Sequence, residues 1–266
     1  MDHSEMDALF AQTLIGEYES DEAWNAIARL RSDGSREIFE RAASWFSSDE
    51  PLKRARGAAI LAQLRSAPKT QLELEKPEWL FRDESFALLK GLLEHEENSM
   101  FIDSVVAALG HLDNLEAAPL IARYENHFDK DVRFSVACAL GSYPNDPIAV
   151  DVLLRLTSDV DCDVRDWAVF GLGVQGDVDT AEIREALFCG LSDEDEDVRE
   201  ESAVGLAKRH DLRVLPELRK MLHEPRLKVR PAEAVEALLG IESEDTSDWT
   251  ADDYEAALVS RFNLTE

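Results

Sequence analysis

Three stretches decide the reading: DVRFSVACALG over Asp131–Gly141, DVRDWAVFGLG over Asp163–Gly173 and DVREESAVGLA over Asp197–Ala207. They superimpose without gaps, and their arginines, Arg133, Arg165 and Arg199, stand 32 and 34 residues apart. A fourth copy, KVRPAEAVEALLG, places Arg230 another 31 residues on. Upstream, FIDSVVAALG puts Ile102 in the arginine position, 31 residues before Arg133, and LKRARGAAILAQL offers Arg54. The 48 residues from Arg54 to Ile102 make one repeat plus 16 extra. A fixed period of this size marks stacked supersecondary units, none of which buries its apolar face alone.

Each copy reads as a helix. At +3, +4 and +7 from the arginine stand Val136, Ala137 and Leu140, then Ala168, Val169 and Leu172, then Ser202, Ala203 and Leu206. That is the stripe of an amphipathic helix. Position +6 is Ala139, Gly171 or Gly205, small enough for close helix–helix approach. Asp131, Asp163 and Asp197 are expected at helix starts, where a carboxylate caps free N–H groups and meets the positive pole of the dipole. A second helix precedes each copy: 35–47, 83–95, 115–126, 147–157, 181–191 and 212–222. Two further helices fit residues 4–17 and 21–30. A last one fits 251–262, with Thr250 as N-cap and Asp253 three residues on. No strand alternation appears.

Composition fits that architecture and excludes others. The chain has 266 residues, 45% of them hydrophobic, which suits a real core rather than a disordered acidic chain. Glycine and proline, 12 and 9, are too few for a sandwich or barrel. No apolar run nears the ~18 residues of a membrane span. The acidic start MDHSEMDALF lacks a basic n-region, so a cytoplasmic protein is expected. Twenty-eight cations face 56 anions, a net charge of −28. Phosphate neutralisation is a poor fit to that balance, so neither nucleic acid nor membrane is expected as partner. A basic protein partner suits it better, although solubility or a salty cytoplasm would leave the same charge. Cys138, Cys162 and Cys189 form no close pair or metal spacing and read as apolar thiols in a reducing compartment.

The pattern D-x-D-V-R-x-x-A-A-x-A-L-G, clearest over Asp161–Gly173, resembles the HEAT-repeat superfamily, in particular the short bacterial HEAT-like repeats of phycobilisome-lyase type. The resemblance is specific over 101–240 and weaker over 35–64. It implies an all-α, right-handed α-solenoid of about six helix pairs, with capping helices at both ends. The implied organisation is capping helices over 1–34, a first pair over 35–65 and an inserted loop over 66–81. Five pairs follow over 82–241, then an acidic linker over 242–249 and a C-terminal capping helix over 250–266. It also implies a ladder in which an acid six residues before each arginine pairs with arginines of adjacent repeats. Asp159 precedes Arg165, Asp193 precedes Arg199 and Glu224 precedes Arg230, while His127 breaks the pattern before Arg133. In such arrays the second helix of each pair lines the concave side.

Candidate chemistry is sparse. Asp159, Asp161 and Asp163 mimic the start of a calcium loop, but Val164 and Phe170 stand where it needs Gly and Glu. The HEAT-like deoxyhypusine hydroxylases bind iron through His-Glu pairs that follow the repeat arginine. Here His95-Glu96 and His223-Glu224 lie elsewhere, at first-helix ends. HEAT-like enzymes that excise alkylated DNA bases need a basic face. Bilin lyases with such repeats offer no catalytic motif to place here. No metal-spaced histidine pair, nucleophile elbow, P-loop or dinucleotide fingerprint occurs. No catalytic residue, metal or cofactor is therefore expected.

What remains is a surface. Positions +2 and +5 of the second helices flank the core stripe. Trp167 and Phe170, with Phe134 from the preceding copy, would make an aromatic anchor rimmed by Asp166, Glu200 and Glu201. The same aromatics would equally serve as inter-repeat core. The insert SAPKTQLELEKPEWLF, with Trp79, is a second candidate contact or a tolerated loop. The expectation is a monomeric, non-enzymatic adaptor, scaffold or inhibitor that holds a basic or amphipathic segment. The alternative is an enzyme or enzyme accessory of the HEAT-like lyase type.

Overall fold

A computed structural model describes residues 1–66, 78–94, 96–224 and 227–264. Most of the insert at 66–81, along with His95, therefore lies outside the described residues. The fold class is an all-α solenoid. Among the described residues the chain forms helices and turns, with one isolated antiparallel bridge between Arg65 and Trp79. No described helix is long and apolar enough to cross a membrane.

Contacts divide the chain into two units, Met1–Ala139 and Leu140–Glu266. The first holds α1 (His3–Gln12), α2 (Asp21–Asp33), α3 (Arg36–Ser44), α4 (Pro51–Leu61), α5 (Arg82–Leu92), α6 (Ser99–His111) and α7 (Ala117–Ile121). Helix α8 (Lys130–Gly141) carries the unit boundary. The second unit holds α9 (Pro147–Leu156), α10 (Cys162–Phe170), α11 (Ala181–Gly190), α12 (Glu196–Lys208), α13 (Leu215–Leu222), α14 (Val229–Leu239) and α15 (Ala251–Phe262). Short 3-10 turns extend α3 and α7, and a π-turn at Gly171–Gln175 continues α10.

The apolar stripe is the core. Val136, Ala137, Leu140, Ala168, Ser202, Ala203 and Leu206 are fully enclosed, and Val169 and Leu172 nearly so. In the first unit Met6, Leu9 and Phe10 of α1 and Ile27 and Leu30 of α2 join Ile38, Ile60 and Leu61 in one cluster. The N-terminal pair is thus cemented to the array by the same burial that holds the repeats together. Helix α4 packs directly on α6, so the array stays continuous across the insert. Gly34 ends α2 at φ 55°, where a Cβ would meet the Arg65 carbonyl oxygen at 2.1 Å. Only glycine combines that conformation with that approach.

Second helices meet through small residues in register. A Cβ on Gly205, at +6, would lie 2.7 Å from the Cα of Gly173, at +8 of the preceding copy. One on Gly171 would lie 3.3 Å from Gly141 Cα, and one on Gly110 2.7 Å from Ala139 Cα. The same +6/+8 pair recurs in three successive repeats and sets how closely the backbones approach.

One expectation needs correction. Asp163 and Asp197 do not cap their helices. The N-caps are Asp161 and Asp195, two residues earlier, with the expected residues inside the first turn. The acidic run over 242–249 contains a 3-10 turn, Ser243–Thr246, with most of its described side chains exposed. Thr246 is buried there and donates its hydroxyl to Glu236, which Tyr254 also reaches at 2.7 Å. Helix α15 begins with the full capping box of Thr250 and Asp253.

Candidate functional site

The arginine register builds the site from the turn upward. At −6 from four successive register positions, Ile102, Arg133, Arg165 and Arg199, a side chain accepts the N–H at −4. Glu96 accepts from Asn98 at 2.9 Å, His127 from Asp129 at 3.1 Å, Asp159 from Asp161 at 2.9 Å and Asp193 from Asp195 at 2.9 Å. His127 thus fills the acid's place through Nδ1. At −4, Asp129, Asp161 and Asp195 accept in turn from the N–H at −2, at 3.1, 3.2 and 3.0 Å. The calcium-like D-x-D-x-D run is this capping cascade.

The arginines close the turn from the other side. Arg133, Arg165 and Arg199 each donate Nη1 to the carbonyl at −6, at 3.0, 3.0 and 2.8 Å, and to that at −5. That pull turns the side chain at −5 into solvent. Phe128 is 83% exposed and Val160 91%. Their exposure follows from the turn.

Between repeats, Arg165 donates both Nε and Nη2 to Asp193, at 2.9 and 2.7 Å, a bidentate pair in a largely buried setting. These bonds hold the Asp193 carboxyl below the usual range and raise Arg165. Arg54 repeats the arrangement, donating to Glu96 at 3.2 Å, six residues before Ile102. The last rung departs from it. Arg230 donates to Glu201 at 2.8 Å and Glu233 at 2.6 Å, while Glu224 faces Lys228 at 3.8 Å.

The acidic rim differs from its expectation. Glu200 and Glu201 are buried, 7% and 9% exposed, because α14 packs on α12 and brings two cations onto them. Lys228 pairs with Glu200 at 2.8 Å and with Glu196, and these bonds raise its pKa. Arg230 takes Glu201 and lies 5.4 Å from the Phe170 ring centroid. Val204, at +5 of the same helix, is fully buried. The structure brings Asp166, Trp167, Phe170, Glu201 and Arg230 into one neighbourhood. Trp167 remains 36% exposed and stands edge-on to half-buried Phe170, centroids 5.5 Å apart. Phe134 and Trp79 belong to the first unit, half-buried and 39% exposed respectively.

Two oxygens here lack donors. Oδ1 of Asp166 and Oε2 of Glu201 are screened from water and accept no hydrogen bond. Burial pushes the Glu201 carboxyl up to about 7; Arg230 opposes that and Asp166 adds to it. Burial, then Asp197, Asp195 and Asp163, push Asp166 up to about 6. The pair can hold a proton near neutrality or receive a donor from outside. No group of three histidine, cysteine or acidic side chains among the described residues is arranged to hold a metal ion.

Sequence reasoning missed Arg209. It donates to the carbonyls of Leu172, Gly173, Gly176, Val178 and Gly205, between 2.7 and 3.2 Å, and so fixes the π-turn after α10. It also missed Lys228, for which the degenerate fourth repeat gives no signal. A buried polar group in the first unit was missed as well. There Asp103 accepts from Ser135 and, at 3.1 Å, from the Tyr18 hydroxyl.

These features define a class of protein, an α-helical repeat array whose turns are locked by a recurring arginine. The family described as HEAT repeats matches residues 85–173 and 154–239, and the chain belongs to it. Protein YibA of Escherichia coli K12 is 27% identical over 208 residues, 76% of this chain and 70% of YibA. The X-ray structure of YibA superimposes with a TM-score of 0.70 at 20% identity, covering 97% of this chain and 92% of that one. An archaeal HEAT-like repeats protein from Thermococcus onnurineus NA1 gives 0.53 at 13% identity, covering 95% and 98%. These structural likenesses concern the fold.

Proposed function

We propose that the chain is a non-enzymatic protein-binding module, an adaptor, scaffold or inhibitor. In this reading it works as a cytoplasmic monomer and holds a basic or amphipathic segment of a partner on the α10–α12 face. The observation that carries the reading is Trp167. It is a large apolar ring left one-third exposed, edge-on to Phe170, next to two carboxyl groups that each keep one oxygen without a donor. An aromatic anchor beside unsatisfied acids suits a cationic, partly apolar segment.

The test compares affinity capture by wild type and Trp167→Ala at low and high salt, with the fold of both checked by circular dichroism. Under the proposal, a protein retained by wild type is lost from the variant and released by salt. Equal retention by both folded proteins would sink it. The lyase-type alternative would use the same two carboxylates as proton donors. A chromophore, metal or small molecule co-purifying with the chain would favour that alternative.

A further inference from the structure

Two buried polar slots occupy the same register in different repeats. In the first unit, Asp103 stands at +1 of its repeat and Ser135 at +2 of the next. Ser135 donates its hydroxyl to Asp103, and Tyr18 donates from a third side. That slot is satisfied from within. In the second unit, Asp166 stands at +1 and Glu201 at +2 of the next repeat. Here two carboxyl groups take the register places that an acid and a hydroxyl hold in the other slot. One oxygen of each has no donor, and the Glu201 side chain is only 11% exposed.

The chain already fills half of this slot. Arg230 gives its Nε to Glu201 Oε1 at 2.8 Å and lies by the Phe170 ring. That is the mode in which a guanidinium is held between acid and aromatic, and it leaves Oε2 over. Asp166, Glu201 and Glu233 set three carboxyl groups against that single arginine. Resting on the protein-binding reading above, we infer that Asp166 and Glu201 form the seat for one arginine side chain of the partner, stacked against Trp167 and Phe170. A planar guanidinium offers several N–H donors to the two unpaired oxygens at once. Asp166 and Trp167 are both partly open to solvent, which is the side from which the occupant would enter.

Charge supports a cation over a neutral donor. Asp163, Asp195 and Asp197 surround Asp166, and Arg230 is the cation that opposes them. Glu200, Glu196 and Glu224 are engaged by Lys228. An incoming guanidinium also expels the proton that burial keeps on the pair. Binding is therefore coupled to proton release near neutral pH.

The experiment is a selection of random decapeptides on the full chain. Titration calorimetry of the recovered peptides follows, in two buffers of different ionisation enthalpy. The expected result is an invariant arginine whose replacement by citrulline weakens binding at least tenfold. Glu201→Gln and Asp166→Asn should each lose a similar factor, and both should abolish proton release. Peptides without arginine, or citrulline versions that bind as well, would overturn the arginine seat. If such peptides still fail on Trp167→Ala, the binding face survives and only its proposed occupant is wrong. If recovered peptides bind Trp167→Ala and wild type alike, the face itself is wrong. Recovery of no peptide overturns both.

Discussion

Replacing Gly205 by alanine should weaken the second unit, although alanine is the better helix former. A methyl at this position would stand 2.7 Å from Gly173 Cα and 2.9 Å from Leu187 Cδ1. The leucine can rotate, but the backbone of the neighbouring turn cannot. Helix propensity favours the change by about 1 kcal/mol. Overpacking costs about 1–3 kcal/mol, toward the upper end when backbone opposes it. The net loss should be about 1–2 kcal/mol, or roughly 5 °C in midpoint per kcal/mol for a unit of this size. Gly91→Ala is the control. It lies near the end of α5, exposed, with nothing within 4 Å of the added carbon, and should gain about 0.5 kcal/mol. Urea unfolding by circular dichroism measures both, and amide exchange in α10 and α12 locates the effect. A Gly205→Ala protein as stable as wild type would refute the claim that the +6/+8 approach sets inter-repeat spacing.

The remaining predictions concern the charged contacts. Arg165→Ala should cost about 3 kcal/mol, the lower end of the range for breaking a buried pair, because Asp193 keeps some access to water. Urea unfolding measures it, and a loss under about 1 kcal/mol would reduce the rung to a surface contact. Arg209→Met leaves five carbonyl acceptors without their donor and should raise amide exchange across 171–178 at least tenfold. Unchanged protection there would show that the π-turn holds itself. Asp166→Asn tests the buried acid by pH. Its folded pKa is raised from 3.8 to about 6, so the folded state binds the proton more tightly than the unfolded chain. Its ionisation therefore lowers stability as pH rises from about 4 to 6, and the penalty is complete above that window. The asparagine variant should gain on wild type at pH 8 and show little gain at pH 4. A pH-independent difference would contradict the burial of this carboxyl.

Much of the fold was legible because burial in a repeat is written at fixed offsets. The +3, +4 and +7 stripe, the small residue at +6 and the Thr250 capping box all occupy their expected places. The helix starts were misplaced by two residues for a physical reason. The capping carboxylate is the one whose N–H the −6 side chain has already taken, and that relay is a tertiary feature of the turn. The −6 rung was readable further than first supposed. Counting back from Ile102 reaches Glu96, which Arg54 holds, so a register survives where its own arginine is lost. The acid rim misled because exposure on a second helix depends on the neighbour stacked against it. Glu201 looks open until α14 delivers Arg230, and nothing in the α12 sequence announces that.

Function is best sought where the register is kept but the chemistry is not. Positions that the three best-matched repeats fill alike, such as the arginine Nη1 on its turn carbonyls, serve the stack and cannot distinguish one partner from another. Position +2 differs among the copies that begin at Asp131, Asp163 and Asp197. It is a serine that satisfies its neighbour in one, an exposed tryptophan in the next and a buried glutamate with one oxygen short of a donor in the third. The backbone geometry there is supplied by the repeat, so a change of side chain alters the surface without altering the fold. A carboxylate pair left short of donors lowers stability, since buried polar groups are ordinarily satisfied. Restoring the hydroxyl of the other slot, by Glu201→Ser, should therefore raise stability at pH 8 while removing the arginine selectivity expected of the wild-type face. Stability gained with selectivity intact would place recognition elsewhere on the chain.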